Sequence, residues 1–81
     1  MPVRLRLFAG AREAAGTATA AWEAASVGEL LDAARVAYGD DFAAVLSASR
    51  VWVNGEEPAS GDATPLTDGD EVAVLPPVSG G

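Results

Sequence analysis

The chain has 81 residues, 49% of them apolar, and a formal charge of −7 from five arginines and twelve acids. That suffices for one small domain with a thin core and is too apolar for a disordered segment. Cysteine, histidine and lysine are absent, which excludes disulfides, thiolate chemistry, zinc sites of the His/Cys kind and histidine acid–base catalysis.

Val3, Leu5 and Leu7 alternate with Arg4, Arg6 and Phe8, the period of two expected of a strand. Residues 9–16 run between two glycines and read as a turn or one short helical turn. Thr17, Thr19 and Trp22 mark a weaker strand over 17–23 that returns antiparallel to the first. Ser26 followed by Glu29 forms a capping box. The helix it opens is predicted from Val27 to Tyr38, with Val27, Leu30, Leu31, Ala34 and Tyr38 on one face, and Gly39 ends it. A second helical segment through Leu46, with Asp40 or Asp41 as its cap, carries Phe42, Val45 and Leu46. Arg50–Val53 reads as a strand running into the hairpin signal Asn54-Gly55. Residues 56–64 are acidic and rich in Gly, Ser and Pro, which implies an exposed loop with room for a brief strand. Asp68-Gly69-Asp70 is a second tight turn, Glu71–Leu75 the last strand, and Pro76 and Pro77 close it because neither can donate a ladder hydrogen bond.

The order is strand, strand, helix, strand, strand. A single apolar helix stripe is buried most economically across one face of a mixed sheet. With the first and last strands parallel at the centre, because a crossover joins them, the arrangement is an α+β, ubiquitin-like β-grasp. Residues 1–75 form the domain and residues 76–81 a protruding C-terminal tail. Trp22 and Trp52 read as core or half-buried packing. The acids of Glu56-Glu57 and Asp68-Gly69-Asp70 are explained by loop and turn chemistry, so no metal site is expected. No run of apolar residues is long enough for a membrane span, and no signal-peptide stretch follows the N-terminus, so a cytoplasmic location is expected. The acidic balance disfavours nucleic acid and anionic membranes and points to a protein partner with a basic face.

The tail is Pro76-Pro77-Val78-Ser79-Gly80-Gly81. A carboxylate beyond two glycines has no side chain near it and can enter a channel too narrow for other residues. Read alone, the dipeptide fits a reactive terminus or a loose end equally. Phe8 and Leu75 both fall out of register with the apolar face of their strands. If those strands pair, the two side chains meet beside the root of the tail. The pattern leaves two placements open, an exposed apolar patch or a pair covered by the tail or a loop. No intrinsic catalytic constellation is present.

Leu7-Phe8-Ala9-Gly10-Ala11-Arg12-Glu13 together with Pro65-Leu66-Thr67-Asp68-Gly69-Asp70-Glu71-Val72-Ala73-Val74-Leu75-Pro76-Pro77-Val78-Ser79-Gly80-Gly81 resembles the small, sulfur-carrying subunit of molybdopterin synthase. The Leu-Thr-Asp-Gly-Asp-Glu-Val part is shared with other β-grasp sulfur carriers. The Pro-Pro-Val-x-Gly-Gly ending is more specific. Between Asn54 and Pro65 the chain departs from that family, offering Glu56, Glu57, Pro58, Ala59, Ser60 and Gly61 where apolar residues are common.

The resemblance implies a reacting group at the Gly81 carboxylate, presented through Gly80. An E1-like adenylating enzyme would activate it with ATP, a sulfur donor protein would convert it to a thiocarboxylate, and the large synthase subunit would receive the tail. Sulfur would then pass to cyclic pyranopterin monophosphate. No cofactor is expected on the chain itself beyond the C-terminal thioglycine, and the chain would be a non-catalytic, sulfur-donating subunit. Phe8, Leu75, Pro76, Pro77, Val78 and Ser79 are the implied partner-binding residues, with Arg12 at the rim of the patch. Two other readings compete: a β-grasp sulfur carrier of thiamine or cysteine biosynthesis, and a ubiquitin-like protein modifier. The missing lysine and cysteine leave an activated tail no side-chain amine or thiol of its own to acylate.

Overall fold

A computed structural model describes residues 2–77. Four strands, β1 (Val3–Leu7), β2 (Thr19–Trp22), β3 (Arg50–Val53) and β4 (Glu71–Leu75), form one mixed sheet in the order β2-β1-β4-β3. β1 and β4 are parallel at the centre, with Leu5 beside Val72 and Leu7 beside Val74, while β2 and β3 flank them antiparallel. The helices are α1 (Ala9–Ala15), α2 (Val27–Tyr38) and α3 (Asp40–Ser47). This is the β-grasp expected from the element order.

Strand alternation divides the sheet into two unlike faces. Val3, Leu5, Leu7, Val72 and Val74 point inward and are buried against Val27, Leu30, Leu31 and Ala34 of α2 and Phe42 and Leu46 of α3. Among the described residues, all thirteen buried hydrophobic side chains belong to this one cluster. A chain of aromatic contacts reinforces it, Trp22 to Tyr38 at 5.5 Å and Tyr38 to Phe42 edge-on at 5.1 Å between ring centroids.

Of the capping box at the start of α2, the structure shows the serine half. The Ser26 hydroxyl accepts a hydrogen bond from the Glu29 N–H at 3.2 Å. Gly28, in the first turn of α2, has a packing reason to lack a side chain. A Cβ there would lie 3.1 Å from both the Cβ and the carbonyl oxygen of Asp62, whose short 3-10 turn (Gly61–Ala63) rests against the helix.

Three local expectations need correction or narrowing, and a fourth holds with a detail added. Residues 9–15 form a seven-residue α-helix, two turns where the sequence predicts a turn or one short helical turn, because Ala11 reaches the core and α1 packs on α3. The N-cap of α3 is Gly39, with Asp40 and Asp41 inside the first turn. There their carboxylates face the positive end of the helix instead of capping it. Asn54 and Gly55 do make a two-residue turn, with φ of 52° and 83° and reciprocal hydrogen bonds between Val53 and Glu56. The chain beyond it gives only an isolated bridge at Glu56 and the turn at 61–63, with no strand. Trp52 is half-buried as expected, but it faces away from the core that its neighbours Val51 and Val53 touch.

Candidate functional site

The end of the sheet from which the tail departs is built by Phe8 and Leu75. Phe8 continues the parallel ladder one residue past β1, donating its N–H to the Val74 carbonyl at 3.3 Å. Its own carbonyl accepts from the N–H groups of Ala11 and Arg12 at 3.0 and 3.4 Å, which anchors the first turn of α1. The chain reverses between strand and helix at Ala9, whose φ of 47° is left-handed. Such an angle costs a residue with a Cβ about 1–2 kcal/mol, a cost the surrounding hydrogen bonds offset. Phe8 is thereby locked on the outer face of the sheet, 37% exposed, with the Arg6 guanidinium 5.4 Å from its ring centre. Of the two placements the sequence left open, this is the exposed one for Phe8, while Leu75 is half-buried.

The register arranges the outer face in rows. Arg6, Ala73 and Trp52 stand side by side across β1, β4 and β3, and Leu75 stands opposite Arg50 in the next row, nearest the tail. Pro76 is half-buried and Pro77 exposed at the root of the tail. Arg12 is exposed on α1, one helical turn beyond Phe8. Val78, Ser79, Gly80 and Gly81, the remaining site residues expected from the sequence, lie outside the described residues. The sequence reading missed the way Trp52, Arg6 and Arg50 share this face. The alternation of Val51 and Val53 with Trp52, counted back from the Asn54-Gly55 turn, carries that signal.

Asp68-Gly69-Asp70, considered above for its acids, lies at the opposite end of the sheet and has a structural task. One Asp70 oxygen accepts from the N–H of Thr67 at 2.9 Å and the other from the Asn54 amide at 3.1 Å, while the Asn54 oxygen accepts from the Glu71 N–H at 2.9 Å. The turn is thus tied to the β3 hairpin. The Thr67 N–H, followed by the Asn54 amide, holds the Asp70 carboxyl below its ordinary value of 3.8. A lowered folded-state value means a contribution present above the unfolded value and lost as pH falls through the folded one. We therefore expect Asp70→Asn to lower the urea midpoint near neutrality, with the gap from the parent closing below about pH 4. A gap unchanged at about pH 2 would show that the carboxylate charge is not what stabilises the turn. Among the described residues no three His, Cys, Asp or Glu side chains are grouped closely enough to hold a metal ion, and no helix is long and apolar enough to cross a membrane.

Comparison with known proteins agrees with this geometry. The ThiS family profile matches residues 5–81. SAMP1 from Haloferax volcanii is 33% identical with a TM-score of 0.81, covering 100% of both chains. The small archaeal modifier protein 1 from Methanosarcina acetivorans is 30% identical with a TM-score of 0.86, covering 98% of this chain and 95% of that one. A chain in the complex of subunits 1 and 2 of the molybdopterin-converting factor from Helicobacter pylori is 26% identical with a TM-score of 0.75, covering 100% of both. A search of curated proteins gave no match.

Proposed function

The chain belongs to the ThiS family of ubiquitin-like sulfur carriers, and from that premise we propose that it is the sulfur-donating subunit of a molybdopterin synthase. The observation that carries this reading is the continuity of β4, at the centre of the sheet, into Pro76-Pro77 and the Gly-Gly ending, with Phe8 and Leu75 beside the exit. The likeness to a chain of the Helicobacter pylori converting-factor complex supports the choice of pathway.

In this reading the Gly81 carboxylate attacks the α-phosphorus of ATP on an activating enzyme and releases pyrophosphate. A free carboxylate is a poor acyl donor, and the adenylate supplies the leaving group. Sulfide then attacks the acyl carbon, AMP departs, and a thiocarboxylate remains. The large synthase subunit takes the tail and directs its sulfur to cyclic pyranopterin monophosphate. Six residues beyond Leu75 span up to roughly 20 Å when extended, enough to reach a partner's interior. Pro76 and Pro77 stiffen the first part of that reach and lower its ordering cost.

The similarity to a small archaeal modifier protein favours one competing use of the same activated carboxylate, conjugation to amines of other proteins. Intact mass spectrometry after incubation with the cognate activating enzyme, ATP and sulfide separates the two. Exchange of one oxygen for sulfur is the expected result, followed by molybdopterin formation when the large subunit and its pterin substrate are added. Conjugates to other proteins without sulfur exchange would assign the modifier role, and an unchanged mass would remove both.

A further inference from the structure

Asn54 carries the one side-chain amide of the sequence, which has no other asparagine and no glutamine, and a glycine follows it. An asparagine before glycine can lose its amide to its own backbone. The Gly55 nitrogen attacks Cγ of Asn54, and a new C–N bond closes a succinimide ring. The amide nitrogen leaves as ammonia, with the proton that the Gly55 nitrogen gives up. Water then opens the ring at either carbonyl and leaves an aspartyl or an isoaspartyl residue. Gly55 puts little in the way of this attack. A Cβ built on it would meet nothing within 4 Å. Among the described residues no hydrogen bond uses its N–H, and both turn residues are exposed.

What opposes the reaction is the start of β4. The Asn54 N–H donates to the Glu71 carbonyl at 2.8 Å and its side-chain oxygen accepts from the Glu71 N–H at 2.9 Å. Its side-chain nitrogen donates to an Asp70 oxygen at 3.1 Å. Asp70 is held in turn by the N–H and hydroxyl of Thr67, at 2.9 and 3.3 Å. Both polar atoms of the carboxamide are therefore engaged by Asp70 and Glu71, and closing the ring requires both bonds to break. Deamidation would then spoil the clasp. In an aspartyl product an oxygen replaces the nitrogen that met Asp70, so two carboxylates face each other within hydrogen-bond distance, an arrangement in which both cannot ionise freely. In an isoaspartyl product the main chain gains a methylene inside the turn. The bonds that close this turn, between Val53 and Glu56, are only 2.7 and 3.0 Å long.

We propose that Asn54 is a latent deamidation site held shut by its hydrogen bonds to Asp70 and Glu71, and that the acid it forms keeps the clasp from closing again. The sequence of events is local opening, ring closure and irreversible loss of ammonia. Exposed turns open at a far lower free energy than the whole domain unfolds, so the site records the opening of this end of the sheet rather than global unfolding. The tail leaves from the opposite end, and the sulfur-carrier reading stands or falls separately.

The test incubates the full chain in mildly alkaline buffer and follows the amide-to-acid mass gain, which only Asn54 can produce. Peptide mapping separates aspartyl from isoaspartyl products. The folded chain is expected to react at least about tenfold more slowly than the same chain in concentrated urea. Asp70→Ala, which brings no amide of its own, is expected to speed the reaction of the folded chain about 5–10-fold, the worth of one hydrogen bond to a charged group. Val45→Ala trims a side chain packed against the core from α3, away from the clasp. It controls for global unfolding and is expected to stay within about twofold of the parent. Asn54→Asp supplies the aspartyl product directly and is expected to lower the urea midpoint near neutrality. No mass gain in urea, equal rates with and without urea, an Asp70→Ala chain no faster than the parent, or a Val45→Ala chain as fast as Asp70→Ala would overturn the shielded site. An Asn54→Asp chain as stable as the parent would overturn the irreversible opening.

Discussion

Deleting Gly81 is expected to cut thiocarboxylate formation by about 100-fold or more while the domain melts as the parent does. The chemical part follows from geometry. The reacting carbon must sit against the phosphate of ATP and later against a sulfur nucleophile, and a displacement of 1 Å can cost about 100-fold in rate. Loss of one extended residue moves that carbon by roughly 3.3–3.6 Å. The structural part follows from the core, whose last member is Val74, and from β4, which ends at Leu75. Removal of a residue six positions further on is expected to change stability by less than about 0.5 kcal/mol. Gly81→Val provides the complementary case, with length kept and a β-branched side chain set beside the acyl carbon, and it too is expected to charge poorly. Intact mass after reaction with activating enzyme, ATP and sulfide reads both variants, and a thermal melt reads the fold. Comparable charging of the shortened chain would refute the tail mechanism. Loss of charging together with loss of folding would show Gly81 to be structural.

Much of this site is legible in the sequence because each part has a local signature. Ser26 and Glu29 announce α2, Pro76 and Pro77 end β4, and the out-of-register Phe8 and Leu75 point to a surface pair. What is not legible arises from contacts between segments. The helix over 9–15 is too short to be stable alone and exists because Ala11 is taken into the core against α3. Gly39 rather than an aspartate opens α3 because the end of α2 has already placed it there, its N–H still bonded to the Arg35 carbonyl at 2.9 Å. The facing of Trp52 depends on the pairing of β3 with β4, which composition does not fix. Net charge is silent on placement for the same reason. A sum over the chain says nothing of how strand alternation gathers three of five arginines on one side of a sheet.

Phe42→Ala is expected to remove about 3–5 kcal/mol of stability, the usual cost of emptying a buried aromatic site. A domain of this length holds roughly 4–12 kcal/mol in all, so the variant would be marginal. Its melting temperature should fall by about 4–8 °C for each kcal/mol lost. The reason is the position of Phe42 in a thin core. It is completely buried, the largest of the fully buried side chains, and ends the aromatic chain that begins at Trp22. It also comes from α3, which packs on both α1 and α2. Much of the apolar content is alanine, so few large residues stand ready to fill the space left behind. Val36→Ala serves as the control, since Val36 is 88% exposed on α2 and its loss should cost less than about 0.5 kcal/mol. Denaturant melts of the two variants compare them directly. The consequence reaches the site, because Phe8 is held outward by the junction between β1 and α1, and α1 is held in place by α3. Phe42→Ala should therefore weaken partner binding through partial unfolding, with the loss recovered on cooling toward the temperature of maximum stability. A Phe42→Ala chain as stable as the Val36→Ala control would mean that the core closes around the gap and that α3 is not what holds the docking end of the sheet.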